Sequence, residues 1–379
     1  MIYSPYHLYT ELLTQKFSNN FKPLSQIDEG LKFEILSPDN PRNVALSITT
    51  KVGKFMFKQP KIDTIGSIEP YENEINYYQN FHRFGFDFFC NRYKKYLLLP
   101  WIEKDRMQGL KFFVQKKLDD VYSKKFVEKS IVAINKFHQI SNEEEGKKRF
   151  LKKSYSAIEP MYLNILRLFR RAHITKKFDA IFFSSDCEKS RKNVRLLTVE
   201  FFKEEKIANF FFQLTEKQTF TNNYLIHGDM NVNNLRGEIN STFQVIDFEF
   251  VCLGDPLWDY VCFVESVFSR YFTNINPKIY EIRFDILISF LKGFLNTNDL
   301  KNSKKDLERY LTFLIIYKLK YLINDDSEFA YSEEETEIVK TSIRNLIDDK
   351  NAFVDLIIKG EFNRECISYL FAPGCYNKV

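Results

Sequence analysis

Two short apolar segments of the chain each lead directly into a cluster of polar side chains. In "YLIHGDMNVNNL", residues 224–235, Leu225 and Ile226 precede His, Asp and Asn residues, and in "VIDFEF", residues 245–250, an Asp and a Glu interrupt Val, Ile and Phe. A buried carboxylate without a partner is costly. A chain that buries these apolar segments must therefore pair the acidic groups or bind a cation with them.

The two segments are expected to form neighbouring strands of one sheet. A hairpin-like pairing would bring Asp229, Asn234 and Asp247 to the same end of that sheet. Two carboxylates and an amide oxygen are hard ligands suited to Mg²⁺, which takes its remaining ligands from water and substrate phosphates. This set of donors predicts phosphoryl transfer.

The composition excludes several other classes of protein. At 379 residues, with 44% hydrophobic and 28% charged residues, the chain fits two globular domains or lobes. A net charge of +5 does not indicate a nucleic-acid binder, and the longest apolar run, residues 311–317, is too short to span a bilayer. The six scattered cysteines favour free thiols in a reducing compartment. We expect a cytoplasmic protein that binds neither nucleic acid nor membrane.

Local patterns divide the chain into a strand-rich first part and a mainly helical remainder. A helix is predicted at the N-terminus over residues 5–17, followed by β-forming runs with a hairpin signal at Val52 and Gly53. Ile75 lies in one inserted helix, because apolar residues recur around it at helical spacing. The charge-rich segment 142–153 is predicted to be a solvated connection.

The motifs "HGDMNVNN" and "IDFEF", followed by "GDPLWD", resemble those of the aminoglycoside phosphotransferase and choline kinase superfamily, small-molecule relatives of the protein kinases. The resemblance implies that Asp229 is the catalytic base and that Asn234 and Asp247 hold Mg²⁺ beside ATP. It also implies an α+β, bilobal protein-kinase-like fold. In that fold a small antiparallel β-sheet N-lobe carries one helix, and a larger C-lobe is mainly helical.

The expected domain division follows from this resemblance. Residues 1–101 would form the ATP-binding N-lobe, and residues 102–379 the C-lobe, with a hinge near Pro100. The C-lobe would contain the catalytic loop 227–234, the metal-binding strand 245–250 and the helices that bind the acceptor.

Upstream residues are expected to bind the nucleotide. Lys58 in "GKFMFKQP" resembles the strand lysine that contacts the α- and β-phosphates, and Glu74 resembles the helix acid that holds this lysine. Glu72 is an alternative partner. Backbone groups from Leu99 to Trp101 are expected to meet the adenine. No Gly-rich loop precedes Lys58, so the choice between ATP and GTP stays open.

Several further residues receive structural interpretations. His138 ends a helix that would pack behind the catalytic loop, and His227 is expected to brace that loop, together with Asp259. Asn233 suits a left-handed turn. No role is predicted for Asn231.

The implied reaction is the transfer of the ATP γ-phosphate to a substrate hydroxyl, and the acceptor is the open question. Glu265, with aromatic residues near it in sequence, could bind a cationic acceptor such as an aminoglycoside or choline. A surface glutamate on a core helix whose aromatic residues serve only for packing explains the same pattern.

Two alternatives remain besides a small-molecule kinase. The basic stretch 102–223 would suit a peptide Ser/Thr acceptor and a protein partner, as in the kinase-like subunits of lanthipeptide and thioamitide dehydratases that work with a lyase. The other alternative is a kinase-fold scaffold that binds without transferring phosphate. The presence of Lys58, Asp229, Asn234 and Asp247 together argues against a scaffold.

Overall fold

The computed structural model describes most of the chain. The described residues are 32–36, 43–50, 53–60, 65–81, 89–91, 96–100, 120–153, 158–178, 192–216, 220–238, 240–268, 304–323, 333–361, 363 and 365–366. The predicted N-terminal helix and Trp101 lie outside these residues.

Helices and strands alternate in the first part of the described chain, and helices dominate the remainder. In chain order they are β1 Lys32–Ile35, β2 Asn43–Thr50, β3 Gly53–Pro60, α1 Ile65–Asn80, β4 Phe89–Asn91, β5 Tyr96–Pro100, α2 Asp120–Ser141, α3 Glu144–Lys153, α4 Met161–Thr175, α5 Lys192–Lys203, α6 Glu205–Glu216, β6 Tyr224–Ile226, β7 Leu235–Arg236, β8 Gln244–Val245, β9 Cys252–Gly254, α7 Leu257–Phe268, α8 Lys304–Ile323 and α9 Glu333–Lys359.

The chain forms two compact units. The first comprises Met1–Glu103, Ile140–Ile158 and Asp247–Val251, and the second comprises Lys104–Gln139, Glu159–Ile246 and Cys252–Val379. The first unit contains an antiparallel sheet and the second is mainly helical. The predicted α+β fold class is therefore confirmed, whereas the domain boundary predicted between residues 101 and 102 stays a prediction.

The first unit is built on a five-stranded antiparallel sheet with the order β1-β2-β3-β5-β4. β2 and β3 pair along their whole length, from Asn43 opposite Pro60 to Thr50 opposite Gly53. Because side chains alternate across a strand, β3 directs Phe57 to one face of the sheet and Lys58 to the other. The strand thus places one charged residue beside a buried aromatic one.

Helix α1 packs on this sheet and fixes a second segment of the first unit. The Tyr71 hydroxyl donates a hydrogen bond to the Lys58 carbonyl, 3.2 Å away. The Asn73 side-chain amide donates to the carbonyls of Glu249 and Val251 at 3.1 and 2.8 Å. One helix therefore holds both β3 and the segment Asp247–Val251.

Segment 142–153 is a helix over most of its length, and although most of its side chains are exposed as predicted, it packs on the first unit and is not merely a solvated connection. Helix α3 begins at Glu144, and Phe150 is completely buried within the first unit. Its ring centroid lies 6.0 Å from that of Tyr77, and its carbonyl accepts a hydrogen bond from the Asn76 amide. Phe150 thus docks a helix whose other residues are mostly charged.

The second unit has an aromatic core centred on Trp258 of α7. The Trp258 ring contacts Tyr162 of α4 and both Phe313 and Tyr317 of α8, with centroid distances of 5.3, 5.8 and 5.5 Å. The short pairs β6–β9 and β7–β8 are also in this unit. None of the described helices has both the length and the apolar character that a membrane span requires.

A second aromatic cluster joins helices α4, α5 and α6, and a substitution at its centre would test the packing of this unit. Phe169 is completely buried, and its ring centroid lies 4.8 Å from that of Phe211 and 5.7 Å from that of Phe202. Phe169→Ala should lower the free energy of unfolding by about 3–5 kcal/mol, because it leaves a cavity. Val132→Ala, at a residue that is 57% exposed, should change it by no more than about 0.5 kcal/mol. Urea denaturation measures both values, and equal losses would contradict this packing.

Candidate active site

The first unit brings the predicted nucleotide-binding lysine and its acidic partner together. Lys58 Nζ on β3 lies 2.8 Å from Glu74 Oε2 on α1, and the two side chains are 9% and 0% exposed. β3 can bury this lysine because α1 supplies a carboxylate at the same depth. The alternative partner, Glu72, is one of the half-buried residues of α1.

Two further carboxylates converge on the same ammonium group. Lys58 Nζ lies 2.6 Å from Asp247 Oδ1 and 2.6 Å from Glu249 Oε1. Burial lowers the pKa of Lys58, but Asp247, Glu74 and Glu249 raise it to well above its ordinary value. Burial raises the pKa of Glu74 to about 7, although Lys58 lowers it. The lysine therefore stays charged inside an acidic cluster.

Glu249 was not among the predicted site residues, although it is 2% exposed and contacts Lys58. Its carboxylate oxygen and those of Glu74 and Asp247 lie within 4.8 Å of one another. The sequence did contain a signal that could have identified Glu249, because it lies two residues after Asp247 in an otherwise apolar run. Burial of a charge calls for a partner, and Lys58 is that partner.

Residues 245–250 do not form the single strand that was predicted. β8 ends at Val245, Asp247 has the left-handed backbone conformation (φ 68°, ψ 65°), and Phe248–Phe250 form a 3₁₀ turn. A residue at positive φ cannot continue a β-ladder, and Asp is one of the few side chains that tolerate it. The turn lets Phe248 stack on Tyr77, at 4.1 Å between centroids, while Asp247 reaches Lys58.

In the second unit, Asn231 fixes the predicted catalytic base. Its side-chain amide donates hydrogen bonds to Asp229 Oδ2 at 3.1 Å and to the Asp229 carbonyl at 3.2 Å. Its own Oδ1 accepts from the Asn233 N–H at 2.9 Å. Asn231, to which the sequence assigned no role, therefore orients the Asp229 carboxylate.

The predicted metal ligand Asn234 also contacts this loop. The side-chain N–H₂ of Asn234 donates to the Asp229 backbone carbonyl at 2.8 Å. The backbone carbonyl of Asn234 accepts from the Ile246 N–H at 2.9 Å. Ile246 directly precedes Asp247 in the chain. The left-handed turn predicted at Asn233 was wrong, because Asn233 lies in a 3₁₀ turn, and Gly228 (φ 80°) takes the positive φ in this loop.

Asp259 at the start of α7 holds the beginning of the loop. Its carboxylate accepts the N–H groups of His227 and Gly228 at 2.8 and 2.9 Å, and His138 Nε2 lies 2.8 Å from Oδ2. The predicted pairing of His227 with Asp259 is made by the His227 backbone N–H. The backbone of His227 contacts Asp259, and its Nε2 lies 2.9 Å from the Ile246 carbonyl oxygen.

The remaining predicted residues are placed as follows. Leu99 lies on β5 opposite Met56 in the sheet register, and Trp101 lies outside the described residues. Glu265 is 1% exposed on α7, and its Oε1 lies 3.5 Å from Lys318 Nζ on α8. The interpretation of Glu265 as a surface residue was therefore wrong, and its cationic partner in the structure belongs to the protein itself.

Comparisons with known proteins place the chain in a family. A sequence model of the phosphotransferase enzyme family, APH, matches residues 40–285, which is more than half of the chain. The chain therefore belongs to the phosphotransferase enzyme family. This membership confirms the predicted superfamily and the prediction of an ATP-dependent phosphotransferase that acts on an alcohol group.

Several solved structures are similar to the chain at low identity. A Plasmodium vivax ethanolamine kinase is 12% identical, with 91% of this chain and 86% of that chain covered and a TM-score of 0.48. The amicoumacin kinase hAmiN is 16% identical, with 88% and 94% covered and a TM-score of 0.49. The aminoglycoside phosphotransferase APH(2'')-Ib is 13% identical, with 86% and 96% covered and a TM-score of 0.46. A comparison with curated protein sequences gives no match.

Removing the Asp259 carboxylate should destabilise the loop that carries Asp229. Asp259→Ala would leave two buried backbone N–H groups and His138 without their acceptor, and should lower the free energy of unfolding by roughly 3 to 5 kcal/mol. The control is Asp355→Ala, which breaks an ion pair with Lys304 whose side chains are both 53% exposed. That change should cost about 0.2–1 kcal/mol. Similar losses for the two variants in urea denaturation would disprove the role of Asp259.

Burial of Glu74 should make stability depend on pH. Its folded pKa of about 7 exceeds its usual value of 4.5, so its protonated form favours the folded state. The stability that it contributes is fully present below about pH 4.5 and is lost as the pH rises through about 7. The melting temperature of the wild type minus that of Glu74→Gln should therefore decrease from about pH 5 to about pH 8. A difference that does not change with pH would rule out this shift.

Proposed function

We propose that this phosphotransferase moves the γ-phosphate of ATP to a hydroxyl group of a small-molecule acceptor, with Asp229 as the base. The observation that carries the proposal is the hydrogen bonding and the exposure of the Asp229 carboxylate. Asn231 holds Oδ2, while Oδ1 makes no hydrogen bond within the described part of the chain, and the side chain is 26% exposed. Asn231 thus fixes one oxygen, and the other, in a partly exposed side chain, is proposed to meet the substrate hydroxyl.

In the proposed reaction, Asp229 Oδ1 accepts the proton of the acceptor hydroxyl. The acceptor oxygen forms a bond to the γ-phosphorus, and the bond from that phosphorus to the β,γ-bridging oxygen breaks, releasing ADP. Orientation by Asn231 matters because a rotated carboxylate would not meet the hydroxyl in line with the phosphoryl group. Asp259 supports the same geometry by holding the backbone of His227 and Gly228.

Lys58 is proposed to bind the ATP phosphates, with Glu74 keeping its ammonium in place. The contact with Glu74 is buried at both ends, so this carboxylate positions the lysine, while Asp247 is 38% exposed and can contact other ligands. Backbone groups from Leu99 to Trp101 are proposed to meet the adenine. A lysine held by a buried glutamate suits an anionic ligand, because the ammonium need not be oriented anew when the phosphates arrive.

Asn234 and Asp247 are each proposed as ligands of Mg²⁺. The donors present suit this ion, since both residues offer oxygen atoms and Asn234 uses its side-chain nitrogen, not its oxygen, to contact Asp229. Asp247 Oδ1 faces Lys58, and its side chain remains partly accessible. When bound, the ion would offset negative charge on the phosphates.

Replacing the proposed base should abolish transfer without abolishing nucleotide binding. Asp229→Asn keeps the shape of the side chain but cannot accept the proton, so turnover should fall by about 10²- to 10⁴-fold. ADP formation is measured with ethanolamine, choline and an aminoglycoside panel as candidate acceptors. Asp355→Asn, at an exposed residue, is the matched control and should retain the wild-type rate.

Binding of the nucleotide is followed separately by thermal shift. Mg-ATP should raise the melting temperature of the wild type and of Asp229→Asn equally, because Asp229 is assigned to the acceptor. Lys58→Met should lose most of this increase. A variant Asp229→Asn with near-normal turnover would rule out the proposed base, and the absence of any increase for the wild type would favour the binding scaffold instead.

A further inference from the structure

Lys320 lies beside the proposed base, outside the residues that the motifs single out. Its Nζ is 4.0 Å from Asp229 Oδ1, and the two side chains are 21% and 26% exposed. The family match ends at residue 285, so it does not include this lysine. The cation therefore approaches Asp229 at Oδ1, the carboxylate oxygen that Asn231 does not bind.

The position of Lys320 is set by the same aromatic residues that hold the loop. Its ammonium lies 5.1 Å from the centre of the Tyr317 ring, one turn earlier on α8. The Tyr317 ring packs on Trp258, and Trp258 Nε1–H donates to the Gly228 carbonyl at 3.1 Å. Because Gly228 directly precedes Asp229, the lysine and the base share one buried support.

The separation of the two groups leaves room for one more atom. At 4.0 Å, Lys320 Nζ and Asp229 Oδ1 attract each other but do not form a direct hydrogen bond. Neither Lys320 Nζ nor Asp229 Oδ1 forms a hydrogen bond with any of the described residues. A single oxygen atom can lie about 2.8 Å from both at once, which is an ordinary hydrogen-bond distance.

The neighbouring lysine on α8 shows that this arrangement is specific to Lys320. Lys318 is buried, and its Nζ lies 3.5 Å from Glu265 Oε1. Residues two apart on a helix point in different directions. The loop itself has no Lys or Arg between Asp229 and Asn234. Among the described residues, Lys320 is the cation that the structure brings to the proposed base.

We propose that Lys320 is a second catalytic residue, which donates a hydrogen bond to the acceptor oxygen while the hydroxyl proton passes to Asp229. The proposal rests on the proposed function of Asp229. As the bond to phosphorus forms, the ammonium stabilises negative charge on the acceptor oxygen and on the phosphoryl oxygens attached to it. Lys320 keeps its proton and forms no covalent bond. The bonds that form and break, and the transfer of the proton to Asp229, are therefore the same as in the reaction proposed above.

The test uses Mg-ATP with water as the acceptor, so that no acceptor need be known. Water would occupy the position between Asp229 Oδ1 and Lys320 Nζ, and the release of phosphate is measured. Lys320→Met removes the charge at similar length and should lower the rate by about 10²-fold. Lys320→Arg retains a cationic donor and should recover the rate to within about tenfold of the wild type. The KM for ATP should stay unchanged in both variants.

Two control variants make the result decisive. Lys305→Met is the same change at an exposed residue of α8, and it should release phosphate at the wild-type rate. Asp229→Asn should abolish release. If Asp229→Asn abolishes release but Lys320→Met retains the wild-type rate, the role of Lys320 is wrong and the proposed function stands. If Asp229→Asn releases phosphate as the wild type does, the proposed base is wrong and the role of Lys320 fails with it.

A structural role for Lys320 gives a different result again. In that case Lys320→Met would lower both the melting temperature and the rate, and Lys320→Arg would not recover the rate. This outcome would also overturn the proposal, because a catalytic ammonium is replaced in part by a guanidinium whereas a packing contact of fixed size is not.

Discussion

The buried carboxylate of Asp259 is the contact on which the loop that carries Asp229 depends. It is completely buried at the start of α7, where it accepts two consecutive backbone N–H groups, from His227 and Gly228, and contacts His138. An ionised group at this depth is stable only with such partners. These two N–H groups directly precede Asp229 in the chain. The hydrogen bonds that the buried Asp259 carboxylate needs therefore also fix the position of the proposed base.

The first unit also buries a charged side chain, in this case a cation surrounded by carboxylates. Here a buried lysine, Lys58, is surrounded by Glu74, Asp247 and Glu249, and the carboxylates hold its pKa above the ordinary value despite burial. Asn73 of α1 fixes the backbone that carries Glu249. Lys58 gives Asp247 a partner inside the protein, while the side chain of Asp247 remains 38% exposed.

Local patterns predicted the elements that depend on local spacing. The helix that carries Glu74 follows from apolar residues at helical intervals, and the loop of Asp229 follows from its motif. The pattern failed at residues 142–153, where charged residues outnumber the one aromatic residue, Phe150, that docks the helix. It failed again at Asp247, because alternation of apolar residues does not reveal a left-handed backbone.

The sequence by itself determined the class of enzyme, because its motifs resemble those of the phosphotransferase family, and that resemblance also indicated the candidate residues Lys58, Asp229 and Asp247. Only the tertiary structure decided what each of them contacts. It placed Asn231 on one oxygen of Asp229 and Lys320, from a helix far along the chain, near the other. Contacts between residues so distant in sequence depend on how helices pack, and packing is a property of the whole core that no local pattern contains.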